Sequence, residues 1–277
     1  MSGGSGRVVV VTGGTRGIGL GLARELIARG CRVVVCGRSA AAVDDAVAGL
    51  AGLAGVGGPQ VVTGLATDVT SRVQVQALWD HAVATFGRVD VWINNAGMSA
   101  PRGPLPELSE ETFAEVVATN LVGVANGCAV ALPGLQAQAA GGWLWNMEGF
   151  GSNGQHQPGL AAYGATKRAV TYLTESLVRD AKGGNVKVGF LSPGIVATDL
   201  LTADYDGQPE AFEKARRIFN ILGDRVETVT PWLAEHLLDA RKNGARVAWL
   251  TTPKVMGRFL TAGFRTRDIF AAPAEAR

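Results

Sequence analysis

The sequence has few of the residues from which metal sites and disulfide frameworks are built. Three cysteines and three histidines are spread over 277 residues. The spacing of Cys31, Cys36 and Cys128 matches no zinc motif, and any disulfide scheme leaves one thiol unpaired. We expect buried, reduced thiols of a cytoplasmic protein and predict no metal site.

Long apolar runs and an excess of one charge are also missing. No run approaches the ~18 apolar residues that a membrane helix needs, so no integral membrane segment is predicted. Residues 1–6, Met-Ser-Gly-Gly-Ser-Gly, lack the apolar stretch of a signal peptide and are predicted to be a flexible lead-in. The formal net charge is +2 and no basic block stands out, which argues against a nucleic-acid partner.

The chain is instead rich in apolar residues, which alternate between two periods. They make up 47% of the sequence, enough for the core of one large domain. Short Val-rich runs, typical of strands buried on both faces, alternate with stretches of helical periodicity. Strands are predicted at residues 7–12, 32–36, 61–66, 89–93, 142–147, 186–191 and 246–250, and helices at 17–29, 40–53, 71–86, 109–131, 160–181, 210–221 and 231–240. This alternation predicts an α/β fold: a single-domain, Rossmann-type, doubly wound parallel sheet over residues 7–277.

Two segments depart from this alternation. Residues 199–224 are polar and follow the C-terminal end of a strand, where a substrate lid is expected. Residues 251–277 form a tail that mixes arginines with aromatic residues. Contact of this tail with a membrane or protein surface and contact with a second subunit both stay open.

A glycine-rich turn lies between the first predicted strand and the first predicted helix. Residues 12–19 read Thr-Gly-Gly-Thr-Arg-Gly-Ile-Gly. The glycines let the backbone turn tightly and approach a pyrophosphate, and the helix N-terminus supplies free N–H groups and a partial positive charge. The sequence therefore predicts a dinucleotide site that contains Gly13, Thr15, Arg16, Gly17, Ile18 and Gly19.

Arg38 follows the second strand, where an NAD enzyme usually carries an acidic residue that binds the ribose 2′-hydroxyl. Together with Arg16 it would instead pair with a 2′-phosphate. NADPH is therefore the expected cofactor, and two solvated surface arginines are the alternative interpretation.

Two further strand ends are expected to contact the cofactor. Asp68 and Val69 follow the third strand, where the adenine ring would lie; Asp68 would accept a hydrogen bond from its amine, cap the next helix, or do both. Asn95, Ala96 and Gly97 follow the fourth strand. Small residues there let a cofactor lie against the backbone, while an asparagine side chain can tie neighbouring strands together.

Tyr163 and Lys167 lie on a predicted helix with the spacing i, i+4, which places both side chains on one face. A nearby ammonium lowers the pKa of a phenol, so the tyrosine can exchange a proton with a carbonyl or an alkoxide. The lysine can also hold the nicotinamide ribose. This pair predicts proton transfer coupled to hydride transfer.

The order of these motifs resembles the short-chain dehydrogenase/reductase family over nearly the whole chain. The set comprises Gly-x-x-x-Gly-x-Gly, Asn-Asn-Ala-Gly, Asn120 in Asn-Leu-Val-Gly, Tyr-x-x-x-Lys and Pro193-Gly194. The resemblance implies that Tyr163 is the acid/base, that Lys167 lowers its pKa and binds ribose, and that Asn120 holds a water of a proton relay. It also implies a homodimer or homotetramer and a segment that touches the nicotinamide, formed by Pro193, Gly194, Ile195 and Thr198.

One position departs from the family pattern. The family places a serine on the loop after the fifth strand, where it polarises the substrate carbonyl. Counting back from Tyr163 gives Phe150 at that place, and matching the strand gives Gly149. Ser152 is the nearest hydroxyl, so either Ser152 or a backbone N–H takes over this task, or activity is low.

The same loop resembles a subgroup of the family, the chlorophyll b reductases. Asn-Met-Glu-Gly-Phe-Gly-Ser and the residues around Tyr163 carry this resemblance. It implies NADPH-dependent reduction of an aldehyde on a bulky substrate, such as the 7-formyl group of chlorophyll b or a related tetrapyrrole, to an alcohol. A generic reductase of a small ketone, acyl thioester or sugar and a non-catalytic NADP(H) sensor are the alternatives. Glu148 is either an additional acid or a paired loop carboxylate.

Overall fold

Seven parallel strands form one sheet in the computed structural model of the chain, which describes residues 6–54, 60–264 and 267–271. The strands in chain order are β1 (Val8–Val11), β2 (Arg32–Gly37), β3 (Val62–Ala66), β4 (Val91–Asn94), β5 (Gly142–Met147), β6 (Val186–Ser192), β7 (Val196–Ala197), β8 (Asp224–Arg225) and β9 (Arg246–Ala248). The main sheet has the order β3-β2-β1-β4-β5-β6-β9, and β7 pairs with β8 separately. The predicted doubly wound parallel sheet is therefore confirmed.

Ten α-helices connect the strands within the described residues. They are α1 (Gly17–Ala28), α2 (Ala40–Ala51), α3 (Arg72–Phe86), α4 (Glu110–Val117), α5 (Gly123–Ala137), α6 (Ala161–Asp180), α7 (Asp199–Ala203), α8 (Pro209–Leu222), α9 (Val226–Asp239) and α10 (Thr252–Thr261). A wider π-helical turn, Ala118–Val122, joins α4 to α5.

The helices cover both faces of the sheet, because alternate strand residues point to opposite sides. Val9 and Val11 pack with α1 and α9 on one face. Val8 and Val10 pack with α3 and α5 on the other. Strand order reverses between β1 and β4, and a crevice for ligands opens at the carboxyl ends of strands at such a point.

Several boundaries differ from the prediction because tertiary burial extends the elements. The helix predicted at residues 109–131 continues through Pro133 to Ala137, since Leu135 of its last turn is fully buried. Helix α9 begins at Val226 and not at Pro231, because Val229 packs in the core. The lead-in predicted for residues 1–6 lies outside the described residues apart from Gly6, as does the end of the tail beyond residue 271.

The stretch Glu110–Ala137 is the one helical span, among the described residues, whose length and composition would allow it to cross a membrane. Half of its most apolar window is buried inside the protein. The span therefore also fits the core helix of a doubly wound sheet.

Candidate active site

The glycine-rich turn (residues 12–19) lies at the carboxyl end of β1, as the sequence predicts. Gly13 has a φ of +64°, and a Cβ there would lie 2.8 Å from the Cα of Ala96. Only glycine therefore lets this backbone approach β4 so closely. Arg16 precedes α1 in extended conformation and its side chain does not cap the helix. The first turn of α1, with Gly17, Ile18 and Gly19, thus fits a ligand phosphate.

Asn95 and Thr12 hold the glycine-rich turn against the end of β4. The Asn95 side chain donates to the carbonyls of Thr12 (2.9 Å) and Gly13 (3.1 Å). The Thr12 hydroxyl accepts hydrogen bonds from the backbone N–H groups of Asn95 and Ala96. The asparagine thus ties two neighbouring strands, the role that the sequence suggested for it.

The residues predicted near the adenosine half occupy the ends of β2 and β3. Thr15 packs against Gly37 at the end of β2, and the following Arg38 is exposed. Asp68 accepts hydrogen bonds from the backbone and hydroxyl of Thr70. The helix cap that the sequence offered to Asp68 is instead Ser71, which accepts from the N–H of Gln74.

Arg16 and the segment after β6 close the other side of the glycine-rich turn. The Arg16 guanidinium lies 3.6 Å from the Asp199 carboxylate, and both side chains are largely exposed. A Cβ on Gly17 would contact the Thr198 side chain at 3.4 Å. Gly194, between Pro193 and Ile195, has a φ of +74° and packs against Leu250.

Asn120 lies in the π-helical turn and is fully buried. Its side chain accepts a hydrogen bond from the N–H of Met98 and donates to the Met98 carbonyl, both at 2.8 Å, and also donates to Thr166. These contacts fix the backbone just after β4. No motif in the sequence indicates Met98 as a partner, because its contribution is made by the backbone.

Tyr163 and Lys167 lie one turn apart in α6, as predicted. The Lys167 ammonium stands over the Tyr163 ring, 5.6 Å from its centroid, and donates to the Met147 carbonyl at 3.3 Å. Gly97 completes this corner, since a Cβ on it would lie 3.8 Å from Lys167 Nζ. The crevice therefore brings the tyrosine, the lysine and the small residues after β4 together.

Burial dominates the electrostatics of this pair. It raises the pKa of Tyr163 above its ordinary range, and the Asp204 carboxylate adds to the rise. It lowers the pKa of Lys167 to about 8, against the opposing effect of the Glu148 carboxylate. The lowered phenol pKa expected from the lysine is therefore not found in this structure, because burial of the phenol and the Asp204 carboxylate both raise its pKa.

The β5–α6 loop (residues 148–160) packs its backbone against the tyrosine. A Cβ on Gly149 would overlap the Tyr163 hydroxyl and lie 3.1 Å from Lys167 Cε. Ser152 is buried, and its hydroxyl accepts from the Gly149 N–H (3.1 Å) and donates to the Lys167 carbonyl (3.4 Å). These two contacts fasten the loop to α6.

Glu148 follows β5 directly and is 5% exposed. Its carboxylate lies 3.1 Å from the Arg246 guanidinium and 3.5 Å from the Thr171 hydroxyl. Burial raises the pKa of Glu148, and Arg246 opposes that rise. Of the two interpretations of this residue, the paired loop carboxylate describes these contacts.

The segment predicted as a lid, residues 199–224, is fastened by a residue that sequence reasoning missed. Arg102, in the segment between β4 and α4, donates its N–H to the Asp204 carbonyl at 2.9 Å. Its guanidinium lies 4.0 Å from the Asp204 carboxylate and stacks on the Tyr205 ring, 4.6 Å from the centroid. Gln208 donates to the Arg102 carbonyl at 2.8 Å. A single arginine in a Pro- and Gly-containing segment carries no sequence signal for this role.

Comparisons with known proteins agree with this geometry. The family model described as short chain dehydrogenase matches residues 7–209. The chloroplastic chlorophyll(ide) b reductase NOL of Oryza sativa subsp. japonica is 40% identical over 233 residues, which cover 83% of this chain and 66% of that protein.

Solved structures show the same fold. Levodione reductase superimposes with a TM-score of 0.78 at 26% identity, covering 88% of this chain and 95% of that chain. The 3-ketoacyl-(acyl-carrier-protein) reductase from Brucella melitensis, complexed with NADH, has a TM-score of 0.74 at 22% identity over 88% and 97% of the two chains.

The relatives also correct one expectation. The chlorophyll(ide) b reductases of rice and Arabidopsis thaliana that the chain resembles are chloroplastic proteins, so the expected cytoplasmic location is wrong. The chain spans 56–66% of the length of these relatives. With its parallel sheet, its glycine-rich turn and its Tyr163–Lys167 pair, the chain belongs to the short-chain dehydrogenase family of nicotinamide-dependent oxidoreductases.

Proposed function

We propose that this protein reduces an aldehyde on a bulky substrate to an alcohol with NADPH. The observation that carries this proposal is the meeting of Tyr163 and Lys167 with Gly97 and the glycine-rich turn at one crevice. The cofactor, when bound, supplies a hydride to the carbonyl carbon. Tyr163 donates its hydroxyl proton to the carbonyl oxygen, and charged Lys167 stabilises the phenolate that remains.

The proposed cofactor site runs along the carboxyl ends of β1 to β4. The pyrophosphate would lie at the first turn of α1, where no side chain caps the helix. The adenosine half would lie between Arg38 and Asp68, and the nicotinamide half beside Gly97 and Thr198. The full set is Gly13, Thr15, Arg16, Gly17, Ile18, Gly19, Arg38, Asp68, Val69, Asn95, Ala96, Gly97, Tyr163, Lys167, Pro193, Gly194, Ile195 and Thr198.

The substrate class rests on the relatives and on the β5–α6 loop. The relatives named chlorophyll(ide) b reductase suggest a formyl group on a tetrapyrrole. Gly149 brings backbone and no side chain to the Tyr163 hydroxyl. We propose that Ser152, through its bond to the Gly149 N–H, holds this backbone in place, and that the lid opens to admit a large flat substrate.

The test of this function is NADPH oxidation with a carbonyl panel that includes chlorophyll b, chlorophyllide b and small ketones. Tyr163→Phe is expected to lose turnover by about 100-fold or more while NADPH binding stays within twofold. Tyr172→Phe is the matched control, because that tyrosine is 74% exposed. Turnover that survives Tyr163→Phe would remove the tyrosine from its assigned role.

The preference for NADPH has a separate test. Arg38 is exposed at the end of β2 and free to face a 2′-phosphate. Arg38→Ala is expected to weaken NADPH binding by about tenfold and to leave NADH binding unchanged, since losing one charged hydrogen bond costs about 1.5–3 kcal/mol. Titration of cofactor fluorescence measures the dissociation constants of NADPH and NADH. Equal losses for the two cofactors would contradict the assignment.

A sensor that binds NADP(H) without turnover is the second candidate. The raised pKa of Tyr163 and the absence of a side chain at Gly149 favour it. Tight NADPH binding with no turnover on any member of the panel would support the sensor, and reduction of small ketones alone would support a generic reductase.

We also propose a homodimer or homotetramer. Large apolar side chains are exposed on two parts of the surface, with Phe113 on α4, and Phe259 and Leu260 on α10. Surfaces of this kind are buried when subunits associate. Sedimentation velocity distinguishes these states from a monomer.

A further inference from the structure

Glu148 is buried, and residues next to it contact Lys167. Its backbone N–H donates to the Leu191 carbonyl at 2.7 Å, which fixes it at the end of β5. Its two chain neighbours both contact the lysine: the Met147 carbonyl accepts from Nζ, and Gly149 packs near Cε. Thr171, one turn after Lys167, contacts both the Lys167 carbonyl and the Glu148 carboxylate.

A buried ammonium needs a compensating charge. Lys167 is 4% exposed, and a lysine in such surroundings tends to lose its proton. The pKa of Lys167, about 8, already reflects this burial, and Glu148 is the charge that opposes it. The other charged groups are Asp204, which acts on Tyr163, and Arg246 and Glu175, which act on Glu148.

We propose that Glu148 is the counter-ion of Lys167: its carboxylate keeps the buried ammonium charged, so that Tyr163 can give up its proton. Glu148 is then a positioning residue that acts through the lysine and does not touch the substrate. Its role in turnover rests on the proposed reduction, whereas its effect on the lysine does not. The counter-ion role also explains why a buried carboxylate is tolerated beside the site.

Arg246 maintains this charge from the protein surface. Its side chain is 44% exposed and lines a surface cavity of about 410 Å³ together with Glu175, Arg179 and Phe190. The guanidinium stacks on the Phe190 ring, 4.5 Å from its centroid, and reaches the buried carboxylate at 3.1 Å. Without this partner, burial would raise the pKa of Glu148 further, and the negative charge beside Lys167 would be lost.

The direct test is NMR titration of Lys167 with 13Cε-labelled lysine in the full chain, with the resonance assigned by Lys167→Arg. Glu148→Gln is expected to lower the pKa of Lys167 and Glu148→Asp to restore most of it. Glu175→Gln is the matched control: it removes a carboxylate near the same arginine, from an exposed position, and should leave the Lys167 titration unchanged. An unchanged titration in Glu148→Gln overturns the proposal.

Turnover gives the second measurement. The alkaline limb of the kcat profile should move to lower pH by about one unit in Glu148→Gln, since an opposite charge close by shifts a titration by this order. Arg246→Gln is a surface change that keeps the Glu148 carboxylate. It should move the alkaline limb of the kcat profile in the same direction, but by a smaller amount. If Glu148→Gln does not fold, Arg246→Gln carries both measurements, and an unmoved lysine titration there overturns the proposal. A shifted lysine titration in a protein that reduces no carbonyl would refute the proposed function and leave the counter-ion role standing.

Discussion

At the scale of single residues, the contact between Gly149 and Tyr163 sets the shape of the site. Gly149 is one of the two candidates for the family's serine position; it brings only backbone here, and the space for a side chain is occupied by the phenol hydroxyl. Ser152 locks this arrangement from the other side by accepting from the Gly149 N–H. The loop and the tyrosine therefore form one packed unit.

A serine at position 149 is accordingly expected to damage the protein. Gly149→Ser should lower the free energy of unfolding by about 1–3 kcal/mol, because the added Cβ overlaps Tyr163 in a packed site. Turnover should fall by about 100-fold, because the tyrosine is displaced from its position. Chemical denaturation and steady-state kinetics measure the two effects, and a gain in turnover would show that the loop moves freely.

Gly164→Ala is the matched control for this change. Gly164 follows Tyr163 in α6, and a Cβ on it meets nothing within 4 Å. This substitution should raise stability by up to about 1 kcal/mol, because alanine favours the helix. Turnover should stay within twofold of the unchanged protein.

The residues of this site differ in how well the sequence identifies them. Tyr163, Lys167 and Asn95 are predicted because their chemistry and their place at strand or helix ends are both visible in the sequence. Met98 and Gly149 are not, because they act through backbone positions that only the folded chain defines. The direction of the Tyr163 pKa was also wrong, since burial cannot be measured from spacing.

At the scale of elements, one arginine holds the turn between α7 and α8, in the segment predicted as a lid. Arg102 joins the segment after β4 to α7 and α8 through the Asp204 carbonyl, the Tyr205 ring and Gln208. Both members of its ion pair with Asp204 are largely buried. Moving this segment away therefore breaks several backbone and side-chain contacts of one residue at once.

Removing this side chain should loosen the lid. Arg102→Ala is expected to lower the free energy of unfolding by about 1–3 kcal/mol, because the buried Asp204 carboxylate loses its partner. Hydrogen exchange should become faster in residues 199–208. Arg217→Ala, an exposed arginine on α8, is the control and should change neither quantity; equal protection of the lid in both variants would contradict the fastening role of Arg102.

Elements with apolar periodicity were predicted well, whereas short elements that depend on tertiary contacts were not. Helices α1, α3 and α6 follow apolar periodicity and begin and end close to the predicted residues. Helix α7 and the strands β7 and β8 are two to five residues long. Such short elements form only because other parts of the chain hold them, so the sequence gives no periodicity for them.

At the scale of the whole molecule, a buried carboxylate fastens the C-terminal segment to the domain. Asp224 is 3% exposed and accepts from Arg258 (2.7 Å), Arg267 (2.5 Å) and the Trp249 indole N–H (2.6 Å). These three residues lie after β6, in the last part of the chain. The tail is thus a packed part of the domain over the residues that the structure describes.

Asp224→Asn should release this segment. The free energy of unfolding is expected to fall by about 3–5 kcal/mol, because two arginines lose a buried counter-charge. Limited proteolysis should then cleave within residues 252–271. Asp268→Asn is the control, because Asp268 pairs with Arg216 at 2.6 Å on the exposed surface. This substitution should lower the free energy of unfolding by less than about 1 kcal/mol. Similar losses in the two variants would contradict this ranking.

The packing of the first helix against the ninth has a consequence for synthesis of the chain. Leu22 and Leu26 of α1 share one core with Leu233 and Leu237 of α9. More than two hundred residues must therefore leave the ribosome before that apolar face is covered. Until then these leucines are exposed on the nascent chain. We therefore expect folding during synthesis to depend on chaperones, even though the finished sheet is well packed.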